Sequence, residues 1–345
     1  MQRKDDDPWA HPHANFITGT TPEHRLRFLA GCAILAPSFH NTQPWLFASG
    51  PDWLDVLADR TRALAVVDPE GRELTISCGA AIGTFETAAR RLSLNTTVTR
   101  CPDPHFPDHL AQITVAQGQP PDDRDLSMFD AIAKRRTDRS DYRPGDLPQD
   151  LMAECCRIAE SLGTRVRFFS NDTARRTLVN MVAEADRIQA EDPGFRRERA
   201  TWMHLSRREI GEGISGAGLR TPYVSAPAAR LLAPTFDQDC NTAAVDTTKT
   251  MAGSPTLALL SSTADTVGDW LDTGRTLARM LLVLTARGFT TSYLNQPIEI
   301  AALRFELGRA AGEDRKPQIL LRIGRSDEIP SPSVRRALSD VMITT

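Results

Sequence analysis

The feature that most constrains this chain is an order of strand and helix patterns that occurs twice along it. Setting Gly79 opposite Gly274 brings two long helical patterns into register, at about 75–94 and 272–287. The same alignment sets Leu94-Asn95-Thr96 against Phe289-Thr290-Thr291, and Ala111-Gln112-Ile113 resembles Pro317-Gln318-Ile319 at the head of a closing strand. The shared features are apolar spacings more than identities, which is how a duplication reads once its surface has diverged. A chain of 345 residues can bury a sizeable core and exceeds one small domain, so two domains or two intertwined halves are expected.

Local signals fill in the halves. Thr21-Pro22-Glu23 marks a helix start that must stop by Ala36, because Pro37 follows. Strands are expected at 45–47, 53–58, 96–99 and 111–116, and the Pro- and Asp-rich stretch 118–125 reads as a linker. Helices at 128–136 and 148–162 and a strand at 164–169 follow, then long helices at 173–189 and 193–208. Strand 255–261, helix 272–287, strand 290–294, helix 298–307 and strand 319–323 complete the second half. The division is therefore 1–124 and 125–345. Segment 211–253 is rich in Gly, Ala, Thr and Pro with a short helical candidate at 227–232, and is expected to be a lid.

The two halves are not alike where polar residues gather. Helices 22–36 and 148–162 hold equivalent places, yet only the first is followed by Pro37-Ser38-Phe39-His40-Asn41-Thr42-Gln43-Pro44-Trp45. Conversely, Lys134-Arg135-Arg136-Thr137-Asp138-Arg139 precedes only the second. Guanidinium groups there can hold a phosphate by forked, charge-assisted hydrogen bonds with Thr137 adding a hydroxyl, or they can be solvated cations placed favourably at a helix C-terminus. Ser38, Asn41 and Gln43 can meet the N–H and C=O groups of a planar heterocycle against Phe39 or Trp45, or form an ordinary Asn/Ser turn. His40 has no identifiable orienting partner for work as a catalytic base.

Composition excludes several classes. The formal net charge is −3 with both signs scattered, so nothing favours nucleic acid or an anionic membrane, and any anion site is local. The six cysteines show no C-x-x-C spacing and read as free thiols of a cytoplasmic protein; neither His11 with His13 nor His105 with His109 has metal-site spacing. The first residues are polar and lack the apolar run of a secretory signal, and the most apolar window, 276–283, contains Arg279, so a buried helix is expected there and no membrane span.

At this point a resemblance becomes specific. The run Ala36 to Trp45 resembles the nitroreductase signature in which a Pro-Ser pair, an Asn and Gln-Pro-Trp follow the first long helix. Arg135-Arg136-Thr137-Asp138-Arg139 is similar to the Arg-Arg-Ser-x-Arg opening of that superfamily, which meets the FMN phosphate and flavin edge. Asp68, Arg72 and Glu73 with Ile76-Ser77-Cys78-Gly79-Ala80, and the ending from Pro317-Gln318 to Arg335-Arg336, resemble the Acg branch.

The resemblance implies an α+β, nitroreductase-like fold in which one duplicated chain mimics a nitroreductase homodimer and acts as a monomeric pseudo-dimer. It implies one FMN site, built by Pro37, Ser38, Asn41 and Gln43 from the first half and Arg135, Arg136, Thr137 and Arg139 from the second, with Arg335 and Arg336 near the phosphate. No metal and no side-chain nucleophile is called for. The expected activity is FMN-dependent oxidoreduction, passing electrons from NAD(P)H through flavin to a small-molecule electron acceptor; no G-x-G-x-x-G turn signals a separate dinucleotide domain. The alternatives are a protein that sequesters FMN or another small molecule beneath the lid, and an empty structural remnant. Phe39 is expected to crowd the flavin, and Asp138 to bring negative charge toward the phosphate.

Overall fold

Helix α1 (Pro22–Ala33) begins where Thr21 accepts a hydrogen bond from the His24 N–H and Pro22 supplies a preset φ. It ends three residues before the expected limit. Leu35 and Ala36 bond to carbonyls only three residues back, tightening the chain into a turn ahead of Pro37. Strands β1 (Trp45–Ser49) and β2 (Trp53–Ala58) follow as an antiparallel hairpin. Helix α2 (Arg72–Arg91) then starts earlier than apolar spacing suggests. Gly71 takes a left-handed φ of 70° and the Asp68 carboxylate accepts from the N–H groups of Glu73 and Leu74, so the cap comes from outside the helix. Strands β3 (Leu94–Arg100) and β4 (His109–Gln117) close a four-stranded sheet of order β1-β2-β4-β3.

This computed structural model describes residues 8–9, 21–204, 213–215, 251 and 253–343. The segment expected as a lid, 211–253, with its helical candidate at 227–232, lies outside the described residues apart from 213–215, 251 and 253. Helix α3 (Asp123–Ile132) is set by a capping box between Asp122 and Asp125, so it starts before 128 and releases the chain before the arginine cluster. The second half then runs through α4 (Gln149–Ser161), β5 (Thr164–Phe169), α5 (Asp172–Glu191) and α6 (Pro193–Trp202). It continues with β6 (Thr256–Ser262), α7 (Val267–Ala286), β7 (Thr290–Tyr293), α8 (Gln296–Glu299), α9 (Ala301–Ala310) and β8 (Lys316–Gly324), ending in α10 (Leu338–Val341). The start of α7 comes from a second capping box, Thr266 with Asp269. A two-residue parallel pair, Met203–His204 with Ile214–Ser215, lies between α6 and β6.

The second sheet has the order β5-β6-β8-β7 and every pairing in it is antiparallel, as in the first. Each strand therefore has a counterpart in the other half, with α2 and α7 inserted at the same point. The fold is α+β and internally duplicated. Helices α2 and α7 cross at their glycines: a Cβ on Gly274 would lie 2.0 Å from the Ile76 carbonyl oxygen, and one on Gly79 2.3 Å from that of Leu271. Only Gly lets the two backbones approach this closely, so the residues that align the halves in sequence are those that join them in space.

Burial differs between the sheets. Along β2 it alternates, with Leu54, Val56 and Ala58 packed against α1 and α2, whereas β6 is buried at every position. Val166, Ala258 and Leu260 face α4 and α7, while Leu257, Leu259 and Leu320 meet α5 and α9 on the other side. The C-terminal segment crosses back to the first half, where the Ile343 N–H donates to the Phe47 carbonyl at 2.8 Å along the free edge of β1.

Candidate functional site

The arginine-bearing segment is placed by β7. Thr137 bridges to Thr291 in parallel, the Asp138 N–H donates to the Thr291 carbonyl at 3.0 Å, and the Tyr142 hydroxyl donates to the Asp138 carbonyl at 2.6 Å. A cavity of about 280 Å³ opens beside it. Arg135, Thr137 and Arg139 line the cavity from this segment; Pro37, Ser38, Phe39, His40 and Asn41 line it from the loop after α1. Elements from both halves thus converge on one crevice, closed by Ile76 and Ser77 of α2, Leu277 of α7, Phe195 and Arg199 of α6, and Ser333 and Arg335 of the C-terminal segment.

The loop departs from a simple turn. His40, Asn41 and Gln43 have φ of 45°, 56° and 51°, three left-handed positions without a glycine, interrupted by Thr42 at −66°. Such conformations persist only where neighbours hold them. Here Ser38 Oγ accepts from the Gln43 N–H at 2.9 Å, and Ser77 Oγ accepts from the Phe39 N–H at 3.2 Å. The Asn41 amide donates to the Gly213 and Val334 carbonyls, both at 3.1 Å, and its oxygen accepts from Arg335 Nη1 at 2.9 Å. Its polar capacity is thus largely used inside the protein, while the Ser38 hydroxyl accepts from Gln43 and donates to no acceptor among the described residues.

Three of the sequence-nominated residues stand off the cavity wall. Gln43 is fully buried beneath the loop and accepts from the Arg336 N–H at 2.8 Å through Oε1. Arg336 donates to the Gln43 carbonyl at 3.1 Å and to Asp59 at 3.3 Å, fastening the C-terminal segment to the first half. Arg136 donates to the Ala133 and Arg135 carbonyls and lies 4.3 Å over the Trp9 ring. Asp138 is also absent from the lining; it is buried and its carboxylate accepts from the Ser140 N–H through Oδ1. Phe39 does line the cavity, stacked on His40 with ring centroids 4.2 Å apart.

The electrostatics are polarised. Arg135 is 6% exposed and Arg335 8%, and neither forms an ion pair among the described residues; Arg135 Nη1 and Arg335 Nε have no hydrogen-bond partner. Burial lowers both guanidinium pKa values, and the neighbouring Arg135 and Arg136 charges press further on Arg335. Arg139 stands exposed at the rim. Burial first, then the charges of Arg199 and Arg139, push the His40 imidazole down to about 3, so it is neutral at physiological pH, with one ring nitrogen a donor and the other an acceptor. Glu73, Asn295, Gln296 and Glu299 form an acidic part of the lining, and Tyr293 feels both Glu73 and the arginines. Burial raises Glu73 to about 7 against the pull of Arg72, and burial with the nearby Glu73 charge raises Glu299 well above the carboxylate range.

Apart from Glu73, nominated only through the Acg resemblance, sequence reasoning did not single out this acidic part. The available signal was the polar run Arg72, Glu73, Thr75 and Ser77 in a helix buried at nearly every position. Unexplained polar residues in such a helix indicate a site or an internal network. Among the described residues no cluster of His, Cys, Asp and Glu can hold a metal ion, and no helix is long and apolar enough to cross a membrane. Of the described cysteines Cys32, Cys78, Cys101, Cys155 and Cys156 are free.

Fold and site together define a duplicated α+β protein with one charged cavity between its halves. No protein-family model matches the chain. A Mycobacterium tuberculosis protein named "Putative NAD(P)H nitroreductase Rv3131" is 32% identical over 325 residues, covering 92% of this chain and 90% of that protein. The M. tuberculosis protein of the same name ending in "acg" is 29% identical over 316 residues, covering 90% and 92%. Among solved structures, the FMN-dependent nitroreductase NfnB of Mycobacterium smegmatis in complex with NADPH matches 64% of this chain and 98% of its own, at 18% identity and a TM-score of 0.40. The chain belongs to the nitroreductase superfamily, in its Acg-type branch.

Proposed function

We propose that the chain is an FMN-dependent oxidoreductase that passes electrons from NAD(P)H through flavin to a small oxidised acceptor. The observation that carries this reading is the unpaired, buried guanidinium of Arg135, from the second half, lining the same cavity as Ser38 from the first. A buried donor without a partner costs about 1–3 kcal/mol, and an anionic phosphate supplies what it lacks. The donor set fits FMN: Arg135 and Arg335 hold the phosphate with Thr137 and Arg139 at the rim, and Ser38 and Asn41 meet the ring, with Pro37 shaping the loop. Gln43, Arg136 and Arg336 hold that arrangement in place. The residues 1–124 and 125–345 act as the two halves, and the chain works as a monomeric pseudo-dimer in the cytoplasm.

FMN, when bound, would supply hydride-transfer chemistry between nicotinamide and the acceptor. The protein contributes position and field. Ile76 and Leu277 present an apolar wall that excludes water, and the arginine charges act at a low local dielectric, favouring anionic groups. His40, being neutral, adds no competing charge.

One observation favours the sequestering alternative. The cavity volume of about 280 Å³ lies at the lower bound of drug-sized sites, roughly 300 Å³, and Asn41 is already engaged. Titrating the purified protein with FMN while recording its absorption, then adding NADH or NADPH, separates the readings. Bound flavin that is bleached by NAD(P)H and reoxidised by an acceptor supports turnover, bound flavin inert to NAD(P)H supports sequestration, and failure to bind FMN removes both.

A further inference from the structure

We propose that the acidic part of the cavity lining, formed by Glu73, Tyr293, Gln296 and Glu299, is a subsite for the ammonium, amidinium or other N–H donor group of a second small molecule. Its role as the electron acceptor rests on the flavin reading above; the binding itself does not.

The argument starts from unsatisfied atoms. Glu73 is 3% exposed, and its Oε1 is occupied by Arg72 Nη2 at 2.8 Å and Asn295 Nδ2 at 3.2 Å. That pairing fixes the carboxylate's orientation and leaves Oε2 without a partner. Gln296 Oε1 and the Tyr293 hydroxyl are likewise buried and unpartnered. Gln296 Oε1 accepts only, Glu73 Oε2 accepts only once its carboxyl is ionised, and the Tyr293 hydroxyl can accept as well as donate. A buried polar atom left without a partner is costly, so a set of them on one cavity wall is matched to a ligand of complementary kind. Here the complement is a donor. The basic part shows the opposite deficit, with the donors Arg135 Nη1 and Arg335 Nε unpartnered. Tyr293 senses Arg135, Arg139 and Arg335 as well as Glu73.

Charge adds to the preference. Glu299 accepts from Gln189 Nε2 at 2.5 Å and is destabilised in its ionised form by burial and by Glu73. Glu73 is acted on in turn by Arg72, which favours its ionised form, and by Asp68, which opposes it; Asp186 of α5 presses on Glu299. A ligand cation beside Glu73 and Glu299 relieves their mutual repulsion and favours ionisation of both. Because Glu73 sits up at about 7, cation uptake releases a proton, and affinity rises with pH through the neutral range.

Benzamidinium and benzamide are probes of nearly equal shape that differ in charge and donor count. Isothermal titration of the full chain at pH 8 is expected to show benzamidinium binding at least about tenfold tighter, a preference that falls to within about twofold in Glu73→Gln. Benzamidinium affinity is also expected to rise several-fold from pH 6 to pH 8 in the natural chain and to stay flat in Glu73→Gln. Gln296→Ala, at the edge of the cluster, provides a second variant should Glu73→Gln fail to fold, and is expected to weaken benzamidinium more than benzamide. Equal affinity for the two probes, or a preference unchanged in these variants, overturns the proposal. So does loss of benzamidinium binding at saturating FMN, which would assign the acidic part to the flavin. If FMN fails to bind while benzamidinium still does, the flavin reading falls and the subsite stands.

Discussion

The two halves share one sheet plan and differ in what fills the space beside it. In the first, α1 leads into the loop Pro37 to Pro44, whose first five residues line a cavity and which takes left-handed angles at His40, Asn41 and Gln43; in the second, α4 passes through Leu162 and Gly163 straight into β5. The register that sets Gly79 against Gly274 sets Ser77, at the cavity wall, against Asp272. Asp272 does not line that cavity. It is paired with Arg100 and with Arg275, which forks onto Glu86 at 2.7 and 3.1 Å, while Arg279 reaches Glu86 at 3.1 Å. Among the described residues, one side of the pseudo-dyad thus keeps Arg135 and Arg335 without ion pairs around a space, and the other matches its arginines with carboxylates. The scaffold is duplicated because both halves need it for packing; a single site, as proposed, follows from the side that leaves its charges unmatched among the described residues.

The comparison is broken most severely at the crossing it rests on. Gly274→Ala drives a Cβ into the Ile76 carbonyl and the Ala80 nitrogen, 2.0 and 2.6 Å away, so α2 and α7 must separate. A loss of about 3 kcal/mol or more is expected in chemical denaturation, at the upper end of overpacking costs. Next in size is the contrast between paired and unpaired arginines. Arg135→Met is expected to weaken FMN roughly 100-fold in equilibrium dialysis, since a buried charge-assisted contact is removed, while Arg275→Met leaves FMN affinity within about twofold and lowers stability instead.

A pH series sharpens the same contrast. The folded Glu73 carboxyl is raised from the ordinary 4.5 to about 7, so between those values the folded chain keeps a proton that the unfolded chain has released. Stability therefore falls as pH rises through this window, by roughly 3 kcal/mol for a shift of this order. Glu73→Gln is expected to reduce the decline and to be the more stable protein at pH 8, as read by denaturant midpoints. The smallest effect belongs to the loop. His40→Gly relieves a φ of 45° but removes the stacked ring, and the opposing terms should leave stability within about 1 kcal/mol of the natural chain.

Much of the scaffold was legible because its signals are local or periodic. Strands 53–58 and 164–169 match the observed β2 and β5 residue for residue, since alternation or β-branched and aromatic content bounded by turn residues defines them. Helix starts were placed late wherever a polar cap extends the helix beyond its apolar face, as at Asp122 before α3 and Thr266 before α7. The helix expected at 298–307 divides at Ile300, which has extended angles, and this places α8 at the cavity. Convergence of the loop and the arginine segment was inferable from their complementary absence in the two halves. Which side chains reach the space was not. Gln43 and Arg336 are polar groups in the right neighbourhood, yet they bond to each other across nearly the whole length of the chain, a pairing that no local pattern carries. Glu299 and Gln296 reach the cavity only because β7 ends there.

The central claim is tested most directly by the stoichiometry of FMN on the purified chain, followed by flavin absorbance at increasing ratios. The account predicts saturation at one FMN per chain, weakened both by Ser38→Ala from the first half and by Arg135→Met from the second. Saturation at two per chain, or binding indifferent to one of those substitutions, would contradict it.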